Sequence, residues 1–161
     1  MASLCHDVDM RQVEVVGELD TSVGYGLKQA TVALRTAMDA ALRPFELSVA
    51  QYACLELLEQ RPGLSNAELA REAFVSRQSM NLVLRGLQQR GLLTRPDTAD
   101  HGRARPIKLM TPGRRLWRDS STAVRAIEKT MLAPFSTAHQ TRLLNDLKIC
   151  AAADSGADPS R

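Results

Sequence analysis

Three serines punctuate the middle of this chain, and each carries the signals of a helix start. Ser48 is followed three residues later by Gln51, and Leu47 and Tyr52 are spaced as a hydrophobic staple around it. Ser65 repeats the device with Glu68, Leu64 and Leu69. Ser76 repeats the staple with Val75 and Met80, although Ser79 stands where a capping box would place Glu or Gln. A serine hydroxyl at this position accepts from a backbone N–H that the first helical turn leaves unpaired. The spacing predicts helices over about 49–60, 66–73 and 77–90, with Gly91 as the left-handed residue that stops the last. Two helices joined by a turn of three or four residues form the unit whose second helix enters the DNA major groove.

The flanks complete an architecture. After Gly91, LLTRP and PIKLM read as short strands on either side of the loop DTADHGRARP, which makes a hairpin. Upstream, Leu27, Ala30, Leu34, Met38 and Leu42 recur every three or four residues, so a helix is expected over about 20–42, ended by Pro44. Thr111-Pro112 reads as an N-cap with proline at the first helical position. The helix it opens should run to about 131, with Leu116, Trp117, Val124 and Ile127 on its apolar side, and Pro134 beyond it. A last helix, about 137–152, should turn Leu143, Leu144 and Leu147 inward. The expected fold is mainly α with a small β-hairpin, a single domain over 20–152 between a loose arm, 1–19, and a polar tail, 153–161.

Composition narrows the function classes. The 161 residues are 44% hydrophobic and 24% charged, enough for one core. No apolar run approaches the roughly 20 residues of a membrane span, and the N-terminal segment lacks the basic flank and apolar core of a signal peptide, so a cytoplasmic protein is expected. Cys5, Cys54 and Cys150 are odd in number and far apart, which argues against a disulfide framework. His6, His101 and His139 are scattered without zinc-ligand spacing, so neither a metal nor another cofactor is expected. The formal charge is +3, but residues 76–115 hold eight arginines and one lysine against two aspartates, which leaves the rest of the chain acidic. A basic segment on an acidic body is the footprint of a nucleic-acid binder, although such a face can also serve solubility alone.

The candidate recognition helix is RQSMNLVLRGLQQR. Met80, Val83, Leu84 and Leu87 share one face and should anchor it, which leaves Arg77, Gln78, Ser79, Asn81 and Arg85 on or near the other. Arginine reads guanine bidentately, Gln and Asn read adenine, and Ser reaches phosphates or bases. Ser76 and the residues after it also lie at a helix N-terminus, where free N–H groups favour phosphate. The hairpin beside this helix becomes a wing whose tip, with His101, Gly102, Arg103 and Arg105, is placed for flanking phosphates or a narrow minor groove. A plain surface hairpin remains the alternative for that loop. A catalytic reading of Asp97, Asp100 and His101 lacks a converging partner, so the chain is not expected to be an enzyme.

The runs LSNAELAREAFVSRQSMNLVLRGLQQRGLLTRP and HGRARPIKLMTPGRRL resemble the multiple antibiotic resistance regulator (MarR) family of winged helix-turn-helix transcription factors. The similarity rests on ELA, VS, the RGLL that follows the recognition helix, the GRA of the wing and the helix start LMTPGR; it is densest over about 55–116 and extends by element order to 20–152. It implies a winged domain over about 47–111 and dimerisation helices over 20–43 and 112–152. It also implies a homodimer on a pseudo-palindromic double-stranded DNA operator, acting as a repressor and released by a small phenolic, aromatic-acid or lipophilic effector. The DNA contacts it implies fall on Arg77, Gln78, Ser79, Asn81, Arg85 and the wing Arg103. Tyr25, Arg35, Tyr52 and Trp117 are the candidates to line an effector pocket. Two positions depart from the family pattern. Asp100 lies three residues before Arg103 rather than two, and Phe74 occupies a turn position that often holds glycine, which suggests an all-right-handed turn packed by the ring. Alternatives are a redox-sensing regulator that uses Cys5 and a ligand-insensitive DNA-binding protein.

Overall fold

The computed structural model describes residues 21–95 and 107–154. The arm with Cys5, the wing tip with His101, Gly102, Arg103 and Arg105, and the end of the tail lie outside the described residues. The chain divides into two compact units, one up to Ala33 and one from Leu34 onward. In order, the elements are α1 (Val23–Leu42), a 3-10 turn (Arg43–Phe45), α2 (Val49–Gln60), α3 (Asn66–Glu72) and α4 (Arg77–Gln89). There follow β1 (Leu93–Thr94), β2 (Lys108–Leu109), α5 (Thr111–Leu132) and α6 (Thr137–Asp154).

The serine caps hold as the spacing predicts. Ser48 and Gln51 form a reciprocal capping box, as do Ser65 and Glu68. The Ser76 hydroxyl accepts from the Ser79 N–H at 3.0 Å and meets the Ser79 hydroxyl at 2.8 Å. The device extends to helices where it was not anticipated: Ser22 accepts from the Tyr25 N–H at 3.2 Å, and Ser136 from the His139 N–H at 3.3 Å.

α5 is the exception and corrects an expectation. Thr111 is already helical, the cap position falls to Met110, and no side chain caps it. The Met110 N–H donates instead to the Leu92 carbonyl at 2.9 Å, so a tertiary contact fixes the start of this helix. Pro112 in the first turn removes one N–H that would otherwise lack a partner.

Helix ends follow one recurring geometry. At Gly91 (φ +68°) the chain turns left-handed, the Gly91 N–H returns to Gln88 O at 2.9 Å and the Leu92 N–H to Leu87 O at 3.0 Å. The same pair of bonds closes α3, from Phe74 to Arg71 (3.2 Å) and from Val75 to Ala70 (3.0 Å). It therefore places Phe74 at φ +54° with its side chain 94% exposed. The expected right-handed turn packed by the ring is overturned on both counts. The closing bonds of α3 demand a left-handed residue, and Val75, the next residue, packs against the core instead.

The core of the second unit gathers Leu42, Leu55, Leu58, Leu69, Met80, Leu84, Leu87, Leu93 and Leu109. α2 lies at its centre, packed on α3, α4, α5 and β2. The two strands pair antiparallel, Leu93 opposite Leu109 and Thr94 opposite Lys108, with both leucines turned inward. α5 contributes Leu116, Trp117 and Val124 to the core margin, as its periodicity indicates. On α6 a second correction appears: Leu143 is half-buried, but Leu144 and Leu147 are exposed, at 52% and 39%. Among the described residues none buries these two leucines of α6. Cys150 is also exposed, whereas Cys54 is buried.

Candidate nucleic-acid interface

α4 is held rigidly from behind and from both ends. Met80, Leu84 and Leu87 are fully buried, and Val83 packs at the margin. Its start is capped by Ser76 and its end is closed through Leu92. Arg90, just past its last turn, donates to Glu46 O at 2.8 Å and Phe45 O at 3.2 Å, tying α4 to the turn after α1.

That anchoring leaves Ser76, Arg77, Gln78, Ser79 and Arg85 exposed together. Two cationic and three hydrogen-bonding side chains on one fixed helix surface suit contact with base edges and phosphates. Asn81 stands apart. It is half-buried, and its Oδ1 accepts from Arg95 Nη2 at 2.8 Å. It braces the last residue before the wing against the recognition helix, a link that sequence spacing alone could not show. Leu82, also absent from the sequence expectation, is 63% exposed between these polar groups.

The four pocket candidates lie on α1, α2 and α5. Tyr25 belongs to the first unit, and Arg35 is exposed on α1. Tyr52 and Trp117 do converge, on a residue that the sequence reading missed. Glu56 Oε2 accepts from the Tyr52 hydroxyl at 2.8 Å, from Trp117 Nε1 at 2.5 Å and from the Ser121 hydroxyl at 3.2 Å, while Gln60 donates to Oε1. The carboxylate thus joins α2 to α5. Burial by itself would raise its pKa, but the hydrogen bonds from Trp117, Tyr52, Ser121 and Gln60 outweigh it and hold the group below its usual range. Burial, the largest influence on Tyr52, pushes that phenol up to about 12. Burial likewise pushes the Cys54 thiol up to about 12. A glutamate in mid-helix reads as a solvated residue until the partner helix is in place, so only the tertiary structure exposes this one as a hub.

Among the described residues no cluster of His, Cys, Asp and Glu could hold a metal ion. No helix there is long and apolar enough to cross a membrane.

The sequence signature of the MarR family covers residues 45–104. The HTH-type transcriptional repressor Rv2887 of Mycobacterium tuberculosis strain H37Rv is 40% identical over 121 residues, 75% of this chain and 87% of the relative. The crystal structure of the Mycobacterium tuberculosis MarR family protein Rv2887 in complex with DNA is similar with a TM-score of 0.67 and 37% identity, over 81% of this chain and 98% of that one. Its complex with salicylic acid gives a TM-score of 0.66 and 38% identity, over 81% and 97%. The winged helix-turn-helix order and this identity across most of both chains agree: the protein belongs to the MarR family of transcriptional regulators.

Proposed function

We propose that this protein is a homodimeric repressor that binds a pseudo-palindromic DNA operator and releases it when a small aromatic acid or related lipophilic effector binds. The observation that carries this reading is α4, whose apolar side is sunk in the core while Arg77, Gln78, Ser79 and Arg85 stand exposed on a fixed frame. In this reading Arg77, Gln78 and Arg85 contact base edges, and Ser76 and Ser79 contact phosphate. Asn81 acts through Arg95, orienting the hairpin whose His101, Gly102, Arg103 and Arg105 meet the flanking backbone. Two such helices in a dimer would enter successive major grooves about one helical turn apart. The DNA-bound form of the M. tuberculosis relative supports the DNA half of the reading, and its salicylic acid complex the effector half.

The effector would act where the winged domain meets the long helices, the region bridged by Tyr52, Glu56 and Trp117. Arg35 is the further side chain proposed to meet it. The residues present suit regulation rather than catalysis, and the site of action implied is the cytoplasm.

Footprinting the full-length protein on DNA flanking its own gene tests the reading directly. A protected, two-fold site whose affinity falls steeply with salt is the expected result. Arg77→Ala should lower discrimination at defined base pairs, and Arg103→Ala should weaken all sequences similarly. Loss of the footprint on adding salicylic acid, with heat of binding by calorimetry, is the expected effector response. A protein that protects no site would overturn the proposal, and one that keeps its footprint with every aromatic acid tried would overturn its effector half.

A further inference from the structure

Among the described residues of α4, Leu82 is the one large apolar side chain that remains exposed, and its position is distinctive. It lies two residues from Met80 and two from Leu84, both fully buried. At about 100° per residue it therefore projects almost directly away from the core. Gln78, four residues before it, and Arg85, three after it, share its side of the helix and are also exposed. An isolated exposed leucine is ordinarily unremarkable. This one stands at the crest of a surface otherwise made of hydrogen-bonding and cationic groups.

We infer that Leu82 is a specificity-determining residue that reads thymine by packing on its 5-methyl group. The inference rests on the DNA-binding reading above and adds one element to it. In the major groove an A·T pair presents the N7 and N6 of adenine to a hydrogen-bonding side chain and the thymine methyl to an apolar one. Gln78 and Leu82, one helical turn apart, offer both kinds of group. A helix seated with Arg85 near guanine or phosphate would bring the leucine deepest into the groove. There the branched tip excludes water from the methyl, while the thymine O4 beside it can still accept from water or a neighbouring side chain. Cytosine at the same place carries only a hydrogen at C5, so the apolar contact with the leucine is lost.

The experiment separates the methyl from every other property of the base. The full-length protein selects its preferred duplex from random-sequence DNA, and each thymine of that duplex is then replaced in turn by uracil, which lacks only the methyl. The wild-type protein should lose about fourfold in affinity per half-site at one thymine, the effect expected for one buried methyl group. Leu82→Ala, whose fold is checked by its thermal transition, should bind the thymine and uracil duplexes alike at that position. It should keep its preferences at the positions assigned to Arg77 and Arg85. If no thymine-to-uracil change weakens wild-type binding, or if Leu82→Ala retains the methyl dependence, the inference is overturned while the DNA-binding reading stands. If the wild-type protein selects no sequence at all, both fall.

Discussion

Phe74 and Gly113 show opposite solutions to tight backbone geometry. Phe74 adopts a left-handed conformation with its ring almost wholly in solvent, so the Cβ cost is not offset by packing. Phe74→Gly should therefore stabilise the protein by about 0.5–1 kcal/mol, after allowing for the greater chain entropy of glycine when unfolded. A rise in the urea midpoint without change in slope would confirm this, and a fall would mean that the ring makes a contact in solution. At Gly113 the limit is space: a Cβ there would lie 2.0 Å from the Leu92 carbonyl oxygen. Gly113→Ala must push backbone against backbone, and a loss of about 1–3 kcal/mol or more is expected, read from the same denaturation curves. The sequence shows a glycine near a helix start and nothing of this approach, because Leu92 reaches it from another element.

Elements were legible where their determinants are local. The two capping boxes and the Gly91 stop involve residues within six positions of one another, and helices α2, α3 and α4 begin where those signals place them. Two expectations failed where the determinant is remote. Met110 rather than Thr111 opens α5 because its N–H bonds to Leu92. Leu144 and Leu147 show that periodicity identifies an apolar stripe without saying whether the same chain covers it. The link between α2 and α5 is remote in the same sense, since Glu56 meets Trp117 and Ser121 across more than sixty positions. Its carboxyl is held below the usual range in the folded chain. The stability it contributes is thus present above the unfolded value, about 4.3, and is lost as pH falls through the lower folded value. Glu56→Gln should flatten this part of the acid limb, with thermal midpoints compared at neutral pH and at about pH 4 and below. An acid limb identical to that of the wild type would show that the carboxylate does not fasten the two helices.

For the whole molecule, the unpaired apolar surface is the dominant feature of the C-terminal helices. Met131 and Phe135 near the end of α5, and Leu144, Leu147 and Ile149 on α6, are all exposed. Exposed apolar side chains of this kind suit cover by a second copy of the chain. Leu147→Glu should therefore yield a monomer by sedimentation and weaken operator binding, because one recognition helix then acts without its partner. A variant that sediments as the wild type does would place the subunit contact elsewhere. The overall architecture was readable from the order of helix, turn, helix and hairpin, but the exposure of these side chains was not, since periodicity carries no information about what lies opposite them.

One residue, Leu92, serves as the pin between two leaves. Its N–H closes the recognition helix through Leu87, and its carbonyl receives the Met110 N–H at the root of α5. With Gly113 set hard against the same oxygen, there is no slack at this joint. A tilt of α5 at that end cannot leave the feet of the wing or the tail of the reading helix where they were. Motion in the long helices would thus reach the DNA-facing surface as leverage rather than as loosening.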